Sequence, residues 1–289
     1  STLSSSSAAS DVYKRQLSAW DAIHNIDPKA EYFSTFDCKK GYWQVPLAEE
    51  CRDLTTFICT LGKFRYTRAP MGFISAGDSY NQRCDQALKG LSGITKIVDD
   101  VLIASKTYDK HKSDVLEFLK CCKEHNITLN RKKMMLGRSK VKFAGYVIGK
   151  NGIEVDPDKI EARNRFPTPA TRQDLKSFMG LINQFRQFSQ AVTKGSYLLK
   201  PLLTTRNQYI WLPEHQKAFE ELKLELAKPT CLAHFDPKLE TRLETDASRK
   251  KGFGYAQLQK HDTEWKIVAA GSRYLRSQDM SKQDMQWWS

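Results

Sequence analysis

Two adjacent carboxylates, Asp99 and Asp100, stand between short apolar runs in Lys96-Ile97-Val98-Asp99-Asp100-Val101-Leu102-Ile103-Ala104-Ser105. Acids held that close repel unless they share a proton or a cation, and Mg²⁺, a hard ion that takes oxygen ligands, suits them. An Asp-Asp pair is equally the composition of a surface turn, so the pair alone does not decide. A third acid, Asp37, closes the aromatic/small alternation Tyr32-Phe33-Ser34-Thr35-Phe36-Asp37. A carboxylate at a strand end can ligate a metal or cap a following helix. A fourth, Asp246, lies in Thr245-Asp246-Ala247-Ser248.

Elements must bring such groups together. The Ile- and Val-rich flanks of the acidic pair are too short for a solvated helix and predict two buried strands, with the turn at Asp99-Asp100, where Asp tolerates positive φ. Thr55–Thr60 and Lys63–Arg68 predict a hairpin around Leu61-Gly62. Its second strand alternates basic and aromatic residues, suited to a nucleic-acid backbone and equally to a solvated face. Ala69-Pro70-Met71-Gly72-Phe73 breaks the strand before a helix over 75–88, and Gly72 would let backbone approach a ligand or simply turn the chain.

A helix over 111–125 places Val115, Phe118, Leu119 and Cys122 on one apolar face. Arg131, Lys132 and Lys133 follow as a basic run, a solvated face or a phosphate contact. Residues 141–148 and 153–155 predict a second hairpin, turning on Asn151-Gly152 as a type I′ pair. Asp156-Pro157 and Phe166-Pro167-Thr168-Pro169 mark a boundary. Beyond it, Thr171 with Asp174 reads as a cap heading a helix striped by Leu175, Phe178, Ile182 and Phe185. A helix over 213–228 carries Ala218, Leu222 and Leu226, and strands over 239–247, 252–259 and 265–275 form a meander.

The chain has 289 residues, enough for about two domains. Its excess of 46 Lys+Arg over 33 Asp+Glu, net +13, points to a polyanionic partner. Seven cysteines without a C-x-x-C pair disfavour a zinc site and a disulfide framework and fit a reducing compartment. No apolar run is long enough for a membrane span. Residues 1–16, ending Ser10-Asp11-Val12-Tyr13-Lys14-Arg15-Gln16, resemble a translated transposase adapter from sequencing libraries and are left out of the fold argument.

The order Asp37, Pro70-Met71-Gly72, Asp99-Asp100, the basic run and Phe143-Ala144-Gly145-Tyr146 resembles the palm of retroelement reverse transcriptases, above all those of gypsy-type LTR retrotransposon Pol polyproteins. That resemblance implies an α+β fold: a polymerase palm with an antiparallel sheet and helices on one face (17–156), a helical thumb and connection (157–230), and an incomplete ribonuclease H-like β-meander (231–289). It implies catalytic and metal-binding roles for Asp37, Asp99 and Asp100, with two Mg²⁺ ions, or Mn²⁺ in their place. Tyr42 would gate the ribose 2′ position, Gly72, Lys132 and Lys133 would lie near the nucleotide, and Phe143, Ala144, Gly145 and Tyr146 would grip the primer. Template–primer duplex and deoxynucleoside triphosphates are the expected partners, with no membrane role, in a cytoplasmic retrotransposon particle. Two departures stand out: Ile97 where the family has Tyr, and Met71 where some relatives have Gln. The basic strands expected before Leu17 are replaced by the adapter-like leader. Asp246 matches the first ribonuclease H acid, but the Glu-bearing helix expected after Leu275 is replaced by Met285-Gln286-Trp287-Trp288-Ser289, so no ribonuclease H activity is expected. A polymerase and an inactive nucleic-acid-binding remnant of one are the two functional readings, beside a third in which the chain is the unexpressed translation of a truncated read.

Overall fold

In the computed structural model, residues 19–73, 75–183, 185, 188, 196, 198–204, 208–227, 231–248 and 252–273 are described. The chain divides between Ala144 and Gly145 into two compact units.

The first unit opens with α1 (Ala19–His24) and β1 (Tyr32–Asp37). It continues through a 3₁₀ turn (Gly41–Gln44), α2 (Glu49–Arg52), β2 (Phe57–Cys59), β3 (Gly62–Phe64), α3 (Ala76–Ala87), β4 (Ile94–Ile97), β5 (Asp100–Ser105) and α4 (Tyr108–Glu124). A second 3₁₀ turn (Arg131–Lys133), β6 (Met135–Arg138) and β7 (Lys140–Phe143) complete it. Four strands form one sheet in the order β4-β5-β1-β6, with β1 antiparallel to both its neighbours. Flanked on both sides, β1 buries its middle four residues, where alternation had predicted only a half-buried strand.

Strand alternation splits β1 and β5 between two faces. Phe36, Val101 and Ile103 pack with Tyr80 and Cys84 of α3 and Phe118 and Cys122 of α4, forming a single core. The other face carries Asp37 and Asp100. The Thr107 hydroxyl caps α4 by accepting from the Lys110 N–H at 3.4 Å. At its other end Asn126 takes a left-handed φ of 54°, and the Ile127 N–H reaches the Cys122 carbonyl at 2.8 Å. This Schellman-type reversal turns the chain back toward the end of β1.

The β2–β3 hairpin forms as expected but shorter, with Cys59 opposite Gly62 and all six strand residues exposed. The second predicted turn is displaced. Gly149 pairs with Gly152, which leaves Lys150-Asn151 as the turn, and neither takes positive φ. The type I′ signature falls instead on Ala144 (φ 50°) and Gly145 (φ 84°). Gly152 is still required: its φ is 134°, and a Cβ there would run into the Leu232 carbonyl.

In the second unit, β8 (Tyr146–Gly149), β9 (Gly152–Val155) and β10 (Cys231–Leu232) lie side by side. Helices α5 (Pro157–Asn164), α6 (Arg172–Asn183) and α7 (Pro213–Ala227) build the core, where Leu175, Phe178 and Ile182 meet Phe219 and Leu222. The capping box is formed at both hands: the Thr171 N–H donates to Asp174 Oδ2 at 2.9 Å and the Asp174 N–H to Thr171 Oγ1 at 3.2 Å. The predicted meander is the antiparallel sheet β11 (Thr241–Ser248), β12 (Gly252–His261) and β13 (Glu264–Arg273). The side chain of Leu226, and residues 1–16 and 274–289, lie outside the described residues.

Candidate active site

The antiparallel register sets Asp37, the last residue of β1, directly opposite Asp100, the first of β5. Directly opposed side chains in a sheet share a face with Cβ atoms about 5 Å apart. Asp99 belongs to the turn between β4 and β5, whose backbone is tied to β1 by a Cys38 N–H donating to the Asp99 carbonyl at 2.8 Å. Sequence reasoning placed the turn on Asp99-Asp100. The structure moves it by one residue: Ile97 pairs with Asp100, and the turn is Val98-Asp99. Positive φ accordingly falls on Val98, at 51°, and not on an aspartate. For a β-branched residue that conformation costs about 1–2 kcal/mol. Such strain is characteristic of functional sites.

Asp99 turns inward. Its Oδ1 is buried and has no hydrogen-bond partner, and the same holds for the neighbouring Tyr80 hydroxyl. Gly41 makes room for both: a Cβ there would collide with Asp99 Oδ1 and would come within 2.6 Å of Tyr80 Cζ. Burial raises the Asp99 carboxyl above its usual range and the charge of Asp37 adds to the rise, against opposing contributions from the Tyr80 hydroxyl, Lys96 and Lys133. Loss of water followed by the charge of Asp37 also raises Asp100, a shift damped by solvent because that residue is exposed.

Asp37 is held differently. Lys133 Nζ donates to its Oδ1 at 2.8 Å, Asn130 Nδ2 to its Oδ2 at 3.3 Å, and the Asn130 N–H to its carbonyl at 2.8 Å. The hydrogen bond to Asp37 raises the Lys133 ammonium above its usual value. The basic run therefore resolves into distinct roles. Lys133 reaches the acids, while the Lys132 N–H serves to close the turn on Asn130 Oδ1 at 3.3 Å.

Three oxygen-donor side chains, one with an orphaned buried oxygen, fit a hard divalent cation. Among the described residues no three potential ligands yet converge on one point. The acids are gathered at one end of the sheet without being closed around an ion.

Tyr42 lies on the 3₁₀ turn after β1, edge-on to Tyr80 with ring centroids 5.8 Å apart, half-buried against the palm core. Gly72 has φ 90° and nothing within 4 Å of a Cβ built on it, so its surroundings are open. Phe143 and Tyr146 are buried, leaving Ala144 and Gly145 nearer the surface between them. Asp246 is exposed within β11, far in sequence from the other acids and in the other unit.

Several supporting residues escaped sequence reasoning. Gln44 stitches the turn after β1 to the segment after α4: its Nε2 donates to the Lys39 and Thr128 carbonyls and its Oε1 accepts from the Thr128 N–H at 2.8 Å. Beneath the sheet, Ser34 Oγ lies 2.6 Å from His111 Nε2, and His111 Nδ1 lies 3.1 Å from Ser105 Oγ. Ser105 donates to Asp114 Oδ2 at 2.8 Å, and Lys110 Nζ to Asp114 Oδ1 at 2.6 Å. A polar residue on an apolar helical stripe gives no signal of this in sequence.

Residues 5–148 match the family described as reverse transcriptase (RNA-dependent DNA polymerase), a match that opens inside the adapter-like leader. Residues 211–286 match the RNase H-like domain found in reverse transcriptase. Over 256 residues, 88% of this chain, the sequence is 29% identical to the retrovirus-related Pol polyprotein from transposon 412 of Drosophila melanogaster, covering 21% of that protein. Over 233 residues, 80% of the chain, it is 30% identical to the transposon Tf2-3 polyprotein of Schizosaccharomyces pombe, covering 17% of it. The chain thus spans about a fifth of the length of these relatives. Its fold is similar to that of a foamy viral protease–reverse transcriptase solved with double-stranded DNA, at a TM-score of 0.83 and 22% identity over 93% of this chain and 47% of that one. The same viral protein solved with an RNA/DNA hybrid gives a TM-score of 0.79 at 22% identity, over 92% of this chain and 37% of that one.

Proposed function

The chain belongs to the reverse transcriptase family, carrying a reverse transcriptase domain and then the ribonuclease H-like domain, as retrotransposon Pol polyproteins do, and from that premise we propose that it extends a primer 3′ end on an RNA or DNA template. The observation that carries the reading is the pairing of Asp37 with Asp100 at one sheet end, beside a buried Asp99 oxygen that has no partner. Asp37, Asp99 and Asp100 would hold two Mg²⁺ ions, which when bound lower the pKa of a hydroxyl nucleophile and offset triphosphate charge.

The chain's own residues supply the setting. Strained Val98 and the Cys38–Asp99 backbone bond fix where Asp99 can point, and Gly41 keeps the space behind it open. Tyr42, which packs edge-on against Tyr80, would limit bulk at the sugar, and Gly72, with open space around it, would let backbone approach the incoming base pair. Lys133 supplies positive charge at Asp37, and Ala144-Gly145, the less buried part of the 143–146 segment, would be the part open to a primer. Template–primer duplex and deoxynucleoside triphosphates are the partners this reading requires, and the net charge of +13 favours the duplex. It assigns no ribonuclease H hydrolysis, on the ground that Met285-Gln286-Trp287-Trp288 stands where a Glu-bearing helix is expected and glutamine is a poor ligand for Mg²⁺.

A second reading, duplex binding without catalysis, draws on the saturation of Asp37 by Lys133 and Asn130. Primer extension on RNA and DNA templates with Mg²⁺ separates the two. Extension that stops when Mg²⁺ is chelated and that is lost in Asp37→Asn supports polymerisation. Salt-sensitive duplex binding without extension supports the remnant.

A further inference from the structure

The three acids are unequally free. Both carboxylate oxygens of Asp37 are taken by this chain, Oδ1 by Lys133 Nζ at 2.8 Å and Oδ2 by Asn130 Nδ2 at 3.3 Å. Asp99 Oδ1, beside the Tyr80 hydroxyl, makes no hydrogen bond of good geometry. Asn130 and Lys133 belong to one tight turn: the Lys133 N–H donates to the Asn130 carbonyl at 3.1 Å, and the Asn130 N–H donates to the Asp37 carbonyl at 2.8 Å. The turn is therefore fastened to the end of β1 and presents one ammonium to one carboxylate. Lys133 is itself 63% exposed, so its ammonium can leave for water without a desolvation cost.

We propose that Lys133 is a resident counter-cation of Asp37, which a divalent ion must displace before Asp37 can act together with Asp99 and Asp100. The proposal rests on reading the three acids as a metal site. An ammonium at hydrogen-bond distance from Oδ1 and a divalent cation on the same carboxylate repel each other, so the two compete for Asp37. With its ammonium in solvent and its carboxylate partly covered, the Lys133–Asp37 pair is screened from one side, whereas a doubly charged ion facing three carboxylates gains from each of them, so displacement runs toward the metal. Until then the pair keeps Asp37 screened from its acidic neighbours and in place. Lys133 is thus a positioning residue that sets the concentration at which metal loads. Displaced, its charge is free at the mouth of the site, in reach of an anionic ligand.

The test is Mn²⁺ binding to the whole chain without nucleic acid or nucleotide, read from the electron paramagnetic resonance signal of free Mn²⁺. Lys133→Met should tighten binding by about threefold to tenfold, the range that loss of an exposed competing ion pair corresponds to. Lys132→Met, one residue away and exposed, removes the same net charge and should change binding by less than half as much. Equal tightening in both variants would reduce the effect to bulk charge and overturn the proposal, as would unchanged or weaker binding in Lys133→Met. Asp99→Asn separates the two levels of the argument. If it abolishes Mn²⁺ binding while Lys133→Met has no effect, only the counter-cation idea fails. If Mn²⁺ binding survives Asp99→Asn, or the unaltered chain binds none, the metal-site reading fails and takes the proposal with it. Thermal unfolding of each variant at the same midpoint as the parent chain confirms that folding is not what changed.

Discussion

At the scale of single residues, the site depends on a glycine as much as on its acids. Gly41 faces Asp99 Oδ1 and the Tyr80 ring at a distance that leaves no room for a methyl group. Gly41→Ala should therefore push Asp99 or Tyr80 aside, destabilising the first unit by about 1–3 kcal/mol, as overpacking does. Misplacing a reacting group should also slow primer extension by roughly tenfold to a hundredfold. Chemical denaturation and single-turnover extension read the two effects, and wild-type values in both would show that the space behind Asp99 is not needed. The acids themselves were legible in sequence, because a carboxylate that ends or opens a β-pattern run is visible from type and spacing alone. The exact turn was not. Whether Val98-Asp99 or Asp99-Asp100 makes the reversal is decided by cross-strand backbone pairing, and here that pairing places a valine in the left-handed region that an aspartate would more readily occupy.

At the scale of elements, the palm sheet is tied to α4 by a buried polar relay. Ser105 donates to Asp114, so its oxygen is left to accept from His111 Nδ1–H. His111 Nε2 then accepts from Ser34, whose oxygen already accepts the Gly137 N–H at 2.9 Å. Every proton is placed with the imidazole neutral. The groups facing it are Asp114 and Lys110 from its own helix, Tyr32 and Ser34 of β1, and Ser105 of β5. Burial holds the His111 pKa below its ordinary 6.5, with Asp114 opposing. A folded-state pKa below the unfolded one means that the unfolded chain takes up the proton first. Stability should thus be full above about pH 6.5, fall as pH drops from there toward the folded-state value, and level off beneath it. Urea unfolding of the parent chain and His111→Gln, between pH 7.5 and pH 5, checks this: the variant should lose most of the slope, and an identical slope would exclude His111 as its source. Helices α4, α6 and α7 were legible from their apolar stripes, but this relay was not, because periodicity registers Phe118 and Cys122 and passes over His111 and Asp114 on the same helix. Lys132 and Lys133 were likewise inseparable in sequence. The turn that Asn126 initiates and Asn130 closes determines which of them meets Asp37.

At the scale of the whole molecule, the order of motifs along the chain carried the family assignment, and the structure adds how one unit assembles the three acids. The Asp37, Asp99 and Asp100 cluster lies wholly within the unit ending at Ala144, so its electrostatics are set by β1, β4–β5 and the turn after α4. A chain of net charge +13 gathers three carboxylates at one sheet end, a local reversal of its overall sign. Asp99, whose buried Oδ1 makes no hydrogen bond of good geometry, is the residue on which the proposed metal-dependent nucleotide transfer most depends. Single-nucleotide incorporation into a primed template with Mg²⁺, comparing the parent chain with Asp99→Asn at matched unfolding midpoints, tests it most directly. The parent should incorporate the nucleotide and the variant should lose about a hundredfold to a thousandfold, the scale of removing a major electrostatic contributor from a site. Incorporation at parental rate by Asp99→Asn would contradict that dependence.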